Sequence, residues 1–179
     1  QLGLRDWQVH AAPGHDPHSV VLFEPQRRLL ISADALWERG FGVVFPELEG
    51  EQAFAEVEAT LDVIEQLQPE WVLPGHGGMF SDVAGALAVA RKRLADFQAD
   101  PQRHAQYAAK VLLKYKLLEW QQASCQQVQD WCASTPLMQQ MRQRYFADQD
   151  PAAWVLALLQ ALAAARAVVW EGDQVRNVD

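Results

Sequence analysis

The sequence predicts an α/β fold followed by a second, mostly α-helical domain, and three observations predict it. Short apolar or alternating runs at 7–11, 20–24, 29–32 and 71–74 read as strands. Between the third and fourth, Phe54, Val57, Leu61, Ile64 and Leu67 recur at steps of three and four, the period of an amphipathic helix. From Val83 onward the pattern is helical almost to the end, where an alternating run turns at Gly172-Asp173.

Taken in order, the run 7–11 is a strand that delivers the loop Ala11-Ala12-Pro13-Gly14-His15-Asp16-Pro17-His18-Ser19. His10, inside the strand, reads as a packed or solvent-facing histidine. The strands 20–24 and 29–32, joined by Pro25-Gln26-Arg27-Arg28, form a hairpin that carries Asp34 back beside His15 to Ser19. Residues 38–50 read as loop, and Phe41, Val43, Val44 and Phe45 within it either floor a pocket or belong to the core. A helix over 51–67 stops at Gln68-Pro69-Glu70, and the buried strand 71–74 hands out His76 between Gly75 and Gly77-Gly78, where glycine lets backbone approach closely. A helix over 83–97 carries Arg91-Lys92-Arg93, and Asp100-Pro101 marks a boundary, so the domains are read as 1–98 and 99–179. Helices over about 103–120, 124–146 (broken at Thr135-Pro136) and 151–166 follow, then the hairpin 167–178.

Three strand ends share a feature that points to chemistry. In Pro13-Gly14-His15, Ser32-Ala33-Asp34 and Pro74-Gly75-His76-Gly77, a His or Asp stands just past the end of a strand, where a stiff side chain projects from a rigid edge. Imidazole and carboxylate donors without a thiolate suit zinc, iron or manganese. A cation held by such donors would lower the pKa of its water toward neutrality, providing hydroxide as nucleophile. Ser19 stands in no nucleophile elbow. His18 either orients His15 or substrate, with Ser19 beside it, or caps the turn together with Ser19.

Those residues carry a resemblance. In order, spacing and intervening elements, residues from about 7 to 98 resemble the second half of the metallo-β-lactamase fold, an αββα sandwich whose superfamily includes glyoxalase II and many other hydrolases. The resemblance implies that His15 binds one metal, that His76 binds the second, and that Asp34 bridges them as the catalytic carboxylate. It also implies two zinc ions per full-length chain, with iron or manganese as alternatives. The superfamily usually has Gly where this chain has Ala33, a small-for-small change. Its His-x-His-x-Asp-His motif does not occur here, so the chain is expected to be a fragment lacking its front. Three ligands split between two metal positions should then bind metal weakly and leave the fragment inactive. Helices closed by a β-hairpin resemble a winged-helix module, as in the lactamase-β-like protein 2 group.

Three functions follow as expectations. The first is a metal-dependent hydrolase of a small thioester, ester or lactone, with the helical domain as a cap. The second is a nuclease of the same fold, and the third a non-catalytic structural or interaction fragment. Charge bears on the second. Residues 1–98 hold seven Lys and Arg against 15 Asp and Glu, while 99–179 hold eight of each. Nucleic-acid affinity rests on several phosphate-neutralising cations, so a nucleic-acid partner is disfavoured. A solvated helix face is the simpler reading of Arg91-Lys92-Arg93 with Lys110, Lys114 and Lys116, as a surface position is for His104 and Tyr107. Cys125 and Cys132 stand two helical turns apart, too far for a disulfide, and read as core thiols of a reducing cytoplasm. No apolar run is long enough to span a membrane. A sheet edge or face left bare by the absent front would favour self-association.

Overall fold

In a computed structural model that describes residues 5–178, the chain divides into two compact units, Gln1–Ala99 and Asp100–Asp179. The approach to the first strand falls partly on residues 1–4, outside the described residues.

The first unit is mixed α/β. Strands β1 (Gln8–Ala11), β2 (Val20–Glu24), β3 (Leu29–Ala33) and β4 (Trp71–Pro74) form one sheet in the order β1-β2-β3-β4. The first two pairings are antiparallel, and β3 pairs with β4 in parallel. A parallel neighbour needs a long crossover, which here contains α1 (Phe45–Glu49) and α2 (Phe54–Leu67). Helix α3 (Val83–Ala99) follows β4 and packs against α2. The core lies on one side of the sheet. Val21, Phe23, Leu30 and Val72 are buried there together with Val57, Leu61 and Ile64 of α2 and Leu87, Ala90 and Leu94 of α3.

The opposite face is bare. Val9, Leu22, Ile31 and Leu73 are in register across all four strands and so share one face. Val9 is 65% exposed and Leu73 44%, with Leu22 and Ile31 half-buried between them.

Helix α1 is absent from the sequence reading, which made residues 38–50 a loop. Five residues are too few to show a helical period. Pro46 in its first turn and Gly50 at its end in the left-handed region, at φ 102°, delimit it. Helix α2 begins at Phe54 rather than Glu51, because the Glu47 carboxylate accepts from the backbone N–H groups of Ala53 and Phe54 and thereby caps it from another element.

The second unit contains α4 (Pro101–Trp120), β5 (Gln122–Ser124), α5 (Cys125–Ser134), α6 (Pro136–Tyr145), α7 (Pro151–Ala164), β6 (Val168–Glu171) and β7 (Gln174–Asn177). Ser124 and Gln127 form a reciprocal capping box at the start of α5. Asp100 and Asp150 cap α4 and α7. The hairpin β6–β7 turns at Gly172, and β5 joins its other side to give the antiparallel order β5-β7-β6. His104 is 1% exposed, so the surface position expected for it is corrected. It shares a buried stripe of α4 with Ala105, Ala108 and Ala109. Among the described residues no helix is long and apolar enough to cross a membrane.

Candidate metal centre

His15, Asp34 and His76 come together where the sheet ends. His15 stands on the loop after β1, which closes on itself through Ala12 N–H donating to the Ser19 carbonyl at 2.8 Å. The α2 helix holds this loop from below: Thr60 Oγ1 donates to the Pro13 carbonyl at 2.9 Å. Gly14 lies at φ 133°, and a Cβ there would fall 2.5 Å from Val57 Cγ2, so no other residue fits without displacing α2.

Asp34 leaves β3 through Ala33, whose φ of 46° is left-handed. The small-for-small reading of that position is therefore incomplete, because alanine bears a conformational cost there that glycine does not. The β3 and β4 ends are tied by Gly75 N–H donating to the Ala33 carbonyl at 2.7 Å, which sets His76 next to Asp34.

The resulting geometry has a definite direction. His15 Nε2 is 3.5 Å from Asp34 Oδ2, and His76 Nε2 is 3.5 Å from Asp34 Oδ1, so each carboxylate oxygen faces a different imidazole. His15 Nδ1 lies 2.6 Å from the Val43 carbonyl. A carbonyl only accepts, so Nδ1 carries the proton and Nε2 is left as the donor atom turned toward Asp34. The Phe45 ring meets His15 edge-on with centroids 5.4 Å apart. Gly42 makes this possible: a Cβ there would fall 2.7 Å from His15 Nδ1 and 3.0 Å from Asp34 Cβ. The His15 and Asp34 side chains are 27% and 29% exposed and that of His76 is 54% exposed, so the site opens on the His76 side.

The donor set fits divalent cations. His15 Nε2, left free by the contact of Nδ1 with the Val43 carbonyl, and His76 Nε2 each face a different oxygen of the Asp34 carboxylate, a nitrogen and oxygen donor set that suits a cation on either side of Asp34. Among the described residues no group of three or more His, Cys, Asp or Glu forms a ready cage for one ion.

Other candidates lie elsewhere. His18 is exposed, and its backbone N–H donates to Asp16 Oδ1 at 2.8 Å; the partner of His15 Nδ1 is Val43 and not His18. Ser19 contributes its backbone to the loop, accepting from Ala12 and donating to the Asp16 carbonyl at 3.2 Å. His10 Nε2 meets Gln8 Oε1 on the edge strand. Phe41, Val43 and Val44 are core, with only the Val43 carbonyl serving the site. Cys125 and Cys132 are free thiols of the second unit, and burial pushes the Cys132 thiol up to about 12, out of nucleophile or ligand range.

Two features of the site were not read from the sequence. The Val43 carbonyl has no side-chain signature. Trp37 donates its indole N–H to Asp34 Oδ1 at 3.1 Å and meets the His76 ring at 4.9 Å between centroids, and its position three residues past Asp34 was the only hint.

A family profile described as the metallo-beta-lactamase superfamily matches residues 1–76. Among solved structures, a metallo-beta-lactamase family protein from Thermus thermophilus aligns at 18% identity over 99% of this chain and 51% of that one, with a TM-score of 0.45. A beta-lactamase domain protein from Burkholderia ambifaria aligns at 23% identity over 100% and 50%, with a TM-score of 0.47. A protein crystallised in a di-iron-bound form aligns at 28% identity over 50% and 45%, with a TM-score of 0.40. The chain spans about half the length of the first two. No curated protein matches it. The segment that the metallo-beta-lactamase superfamily profile matches, 1–76, is the one that carries His15, Asp34 and His76.

Proposed function

We propose that this chain is the metal-bridging part of a hydrolase in which His15 and His76 each hold one divalent cation and Asp34 spans the two. One observation carries the reading: the Asp34 carboxylate turns one oxygen to each imidazole Nε2 while the second nitrogen of His15 is committed to a carbonyl. That outer partner fixes the tautomer and the ring direction, as ligand histidines require. When bound, the cations supply a Lewis acid and a water acidified toward neutrality. His15 presents Nε2, Asp34 presents one carboxylate oxygen to each side, and the open side at His76 admits the substrate. Zinc is the cation proposed, two per full-length protein, and iron or manganese suits the same donors. The substrate class proposed is a small thioester, ester or lactone.

The nuclease alternative has less support. Arg91 pairs with Asp62 and Glu65, Lys92 with Asp96, and Lys116 with Glu119, while Arg93 donates to the Phe41 carbonyl. Of the helices before the terminal hairpin, α6, the possible recognition helix around Met138 to Tyr145, carries only Arg142 and Arg144, and α7 carries no Lys or Arg, so a winged-helix reading would offer phosphates few cations. A labelled oligonucleotide is expected to show no salt-sensitive binding.

The test is zinc binding by competition with a chromophoric chelator. Weak binding that disappears in Asp34→Ala is expected, because residues 1–179 supply three donors to two positions. Tight stoichiometric binding would overturn the incomplete centre, and binding indifferent to Asp34→Ala would overturn the site itself.

A further inference from the structure

We infer that Trp37 is the positioning residue of this site: its indole N–H and ring together hold the Asp34 carboxylate and the His76 imidazole in the orientation that turns one oxygen to each histidine. The inference rests on the metal reading of His15, Asp34 and His76.

A carboxylate has a broad, nearly two-fold torsional preference about its last bond, so strand β3 alone does not decide which way the two oxygens of Asp34 face. Something must break that freedom. Among the described residues the shortest polar contact to this carboxylate is Trp37 Nε1 on Oδ1 at 3.1 Å, against 3.5 Å to each histidine. An indole N–H only donates and does not titrate in water. It therefore occupies one lone pair of Oδ1 whether or not a cation is present, and leaves the second lone pair of Oδ1 and both of Oδ2 as donors. The ring completes the hold. It stands at 77° to the His76 imidazole with centroids 4.9 Å apart, an edge-to-face contact on a histidine that is otherwise the most exposed of the three.

Trp37 is itself held on both sides. Its backbone N–H donates to the Gly40 carbonyl at 2.6 Å, closing a tight loop. Gly42 N–H returns to the Asp34 carbonyl at 2.9 Å, and Arg93 Nη1 reaches the Phe41 carbonyl at 3.3 Å from α3. Before it, Ser32 Oγ donates to the carbonyl of Leu36, whose side chain is fully buried. The indole is thus carried on a loop pinned to a strand and a helix, which is what a group must have to orient another.

The test uses the chain with Trp37→Phe, which keeps an aromatic ring at the position but removes the N–H together with part of the indole, and with Asp34→Ala. Cobalt(II) is the metal probe, read by its visible absorption, and the indole N–H is read without metal in nitrogen-15 spectra of tryptophan-labelled protein. The Trp37 signal is the one that Trp37→Phe deletes. Trp37→Phe should weaken cobalt affinity by about 10- to 100-fold, the usual loss when a partner behind a ligand is removed. Its thermal midpoint should stay that of the unsubstituted chain. In Asp34→Ala the Trp37 indole proton should move and exchange faster with solvent. Cobalt affinity unchanged in Trp37→Phe would overturn the inference, as would an indole signal indifferent to Asp34→Ala. Absence of cobalt binding in the unsubstituted chain would instead sink the metal reading, and the indole signal would still decide whether Trp37 holds Asp34.

Discussion

Ala33 and His104 show how single residues carry costs that their types do not announce. Ala33 sits at φ 46°, where an L-residue with a Cβ is disfavoured by about 1–2 kcal/mol. Glycine would remove that cost but return about 0.4–1 kcal/mol through the freer unfolded chain. Ala33→Gly should therefore raise stability by roughly 0.5–1 kcal/mol in urea denaturation, and a loss of stability would show that the strain is absorbed elsewhere. His104 is the opposite case, a polar ring in an apolar stripe, and burial lowers its pKa to about 4 from 6.5. Between those values the unfolded chain takes up a proton that the folded chain refuses, so stability falls as pH drops from 6.5 toward 4 and levels off below. At about 1.4 kcal/mol per unit, the whole effect is on the order of 3 kcal/mol. Urea titrations from about pH 4 to 8 should show this slope in the chain and a flatter one in His104→Leu.

Elements built from neighbouring residues were legible in the sequence, and those built by distant partners were not. Strands β2, β3 and β4, the turn at Gly172 and the break at Thr135-Pro136 follow from local alternation and local turn chemistry. Strand β5 is three residues long and exists because β7 pairs with it. Helix α1 exists between a proline and a left-handed glycine, and it matters because Glu47 caps α2. Lys114 is a further case. Read from sequence as part of a solvated face, its ammonium instead donates to the Ala167 carbonyl at 3.0 Å, the Val178 carbonyl at 2.7 Å and Asn177 Oδ1, joining α4 to the terminal hairpin. Asn177 is buried, so removing its cation leaves a polar group with less than its full complement of bonds. Lys114→Met should lower stability by about 2–3 kcal/mol and speed hydrogen exchange in β6 and β7 before the rest. Uniform loss of protection would count against a local staple.

For the molecule as a whole, the bare row Val9, Leu22, Ile31 and Leu73 is the largest consequence of how the sheet is built. Covering a Val or Leu side chain is worth about 1.5–3 kcal/mol, so four in one row favour any association that hides them. Sedimentation is expected to show concentration-dependent self-association of this chain, reduced by Val9→Glu with Leu73→Lys. A strictly monomeric species at high concentration would refute this. The four strands, the hairpin of β2 with β3 and the placing of His15, Asp34 and His76 at strand ends could be read without coordinates, because period, turn residues and strand ends are properties of adjacent amino acids. The carbonyl that orients His15, the indole on Asp34 and the burial of His104 could not. Each depends on residues far apart in sequence, and only the packing of the sheet against its helices decides which of them meet.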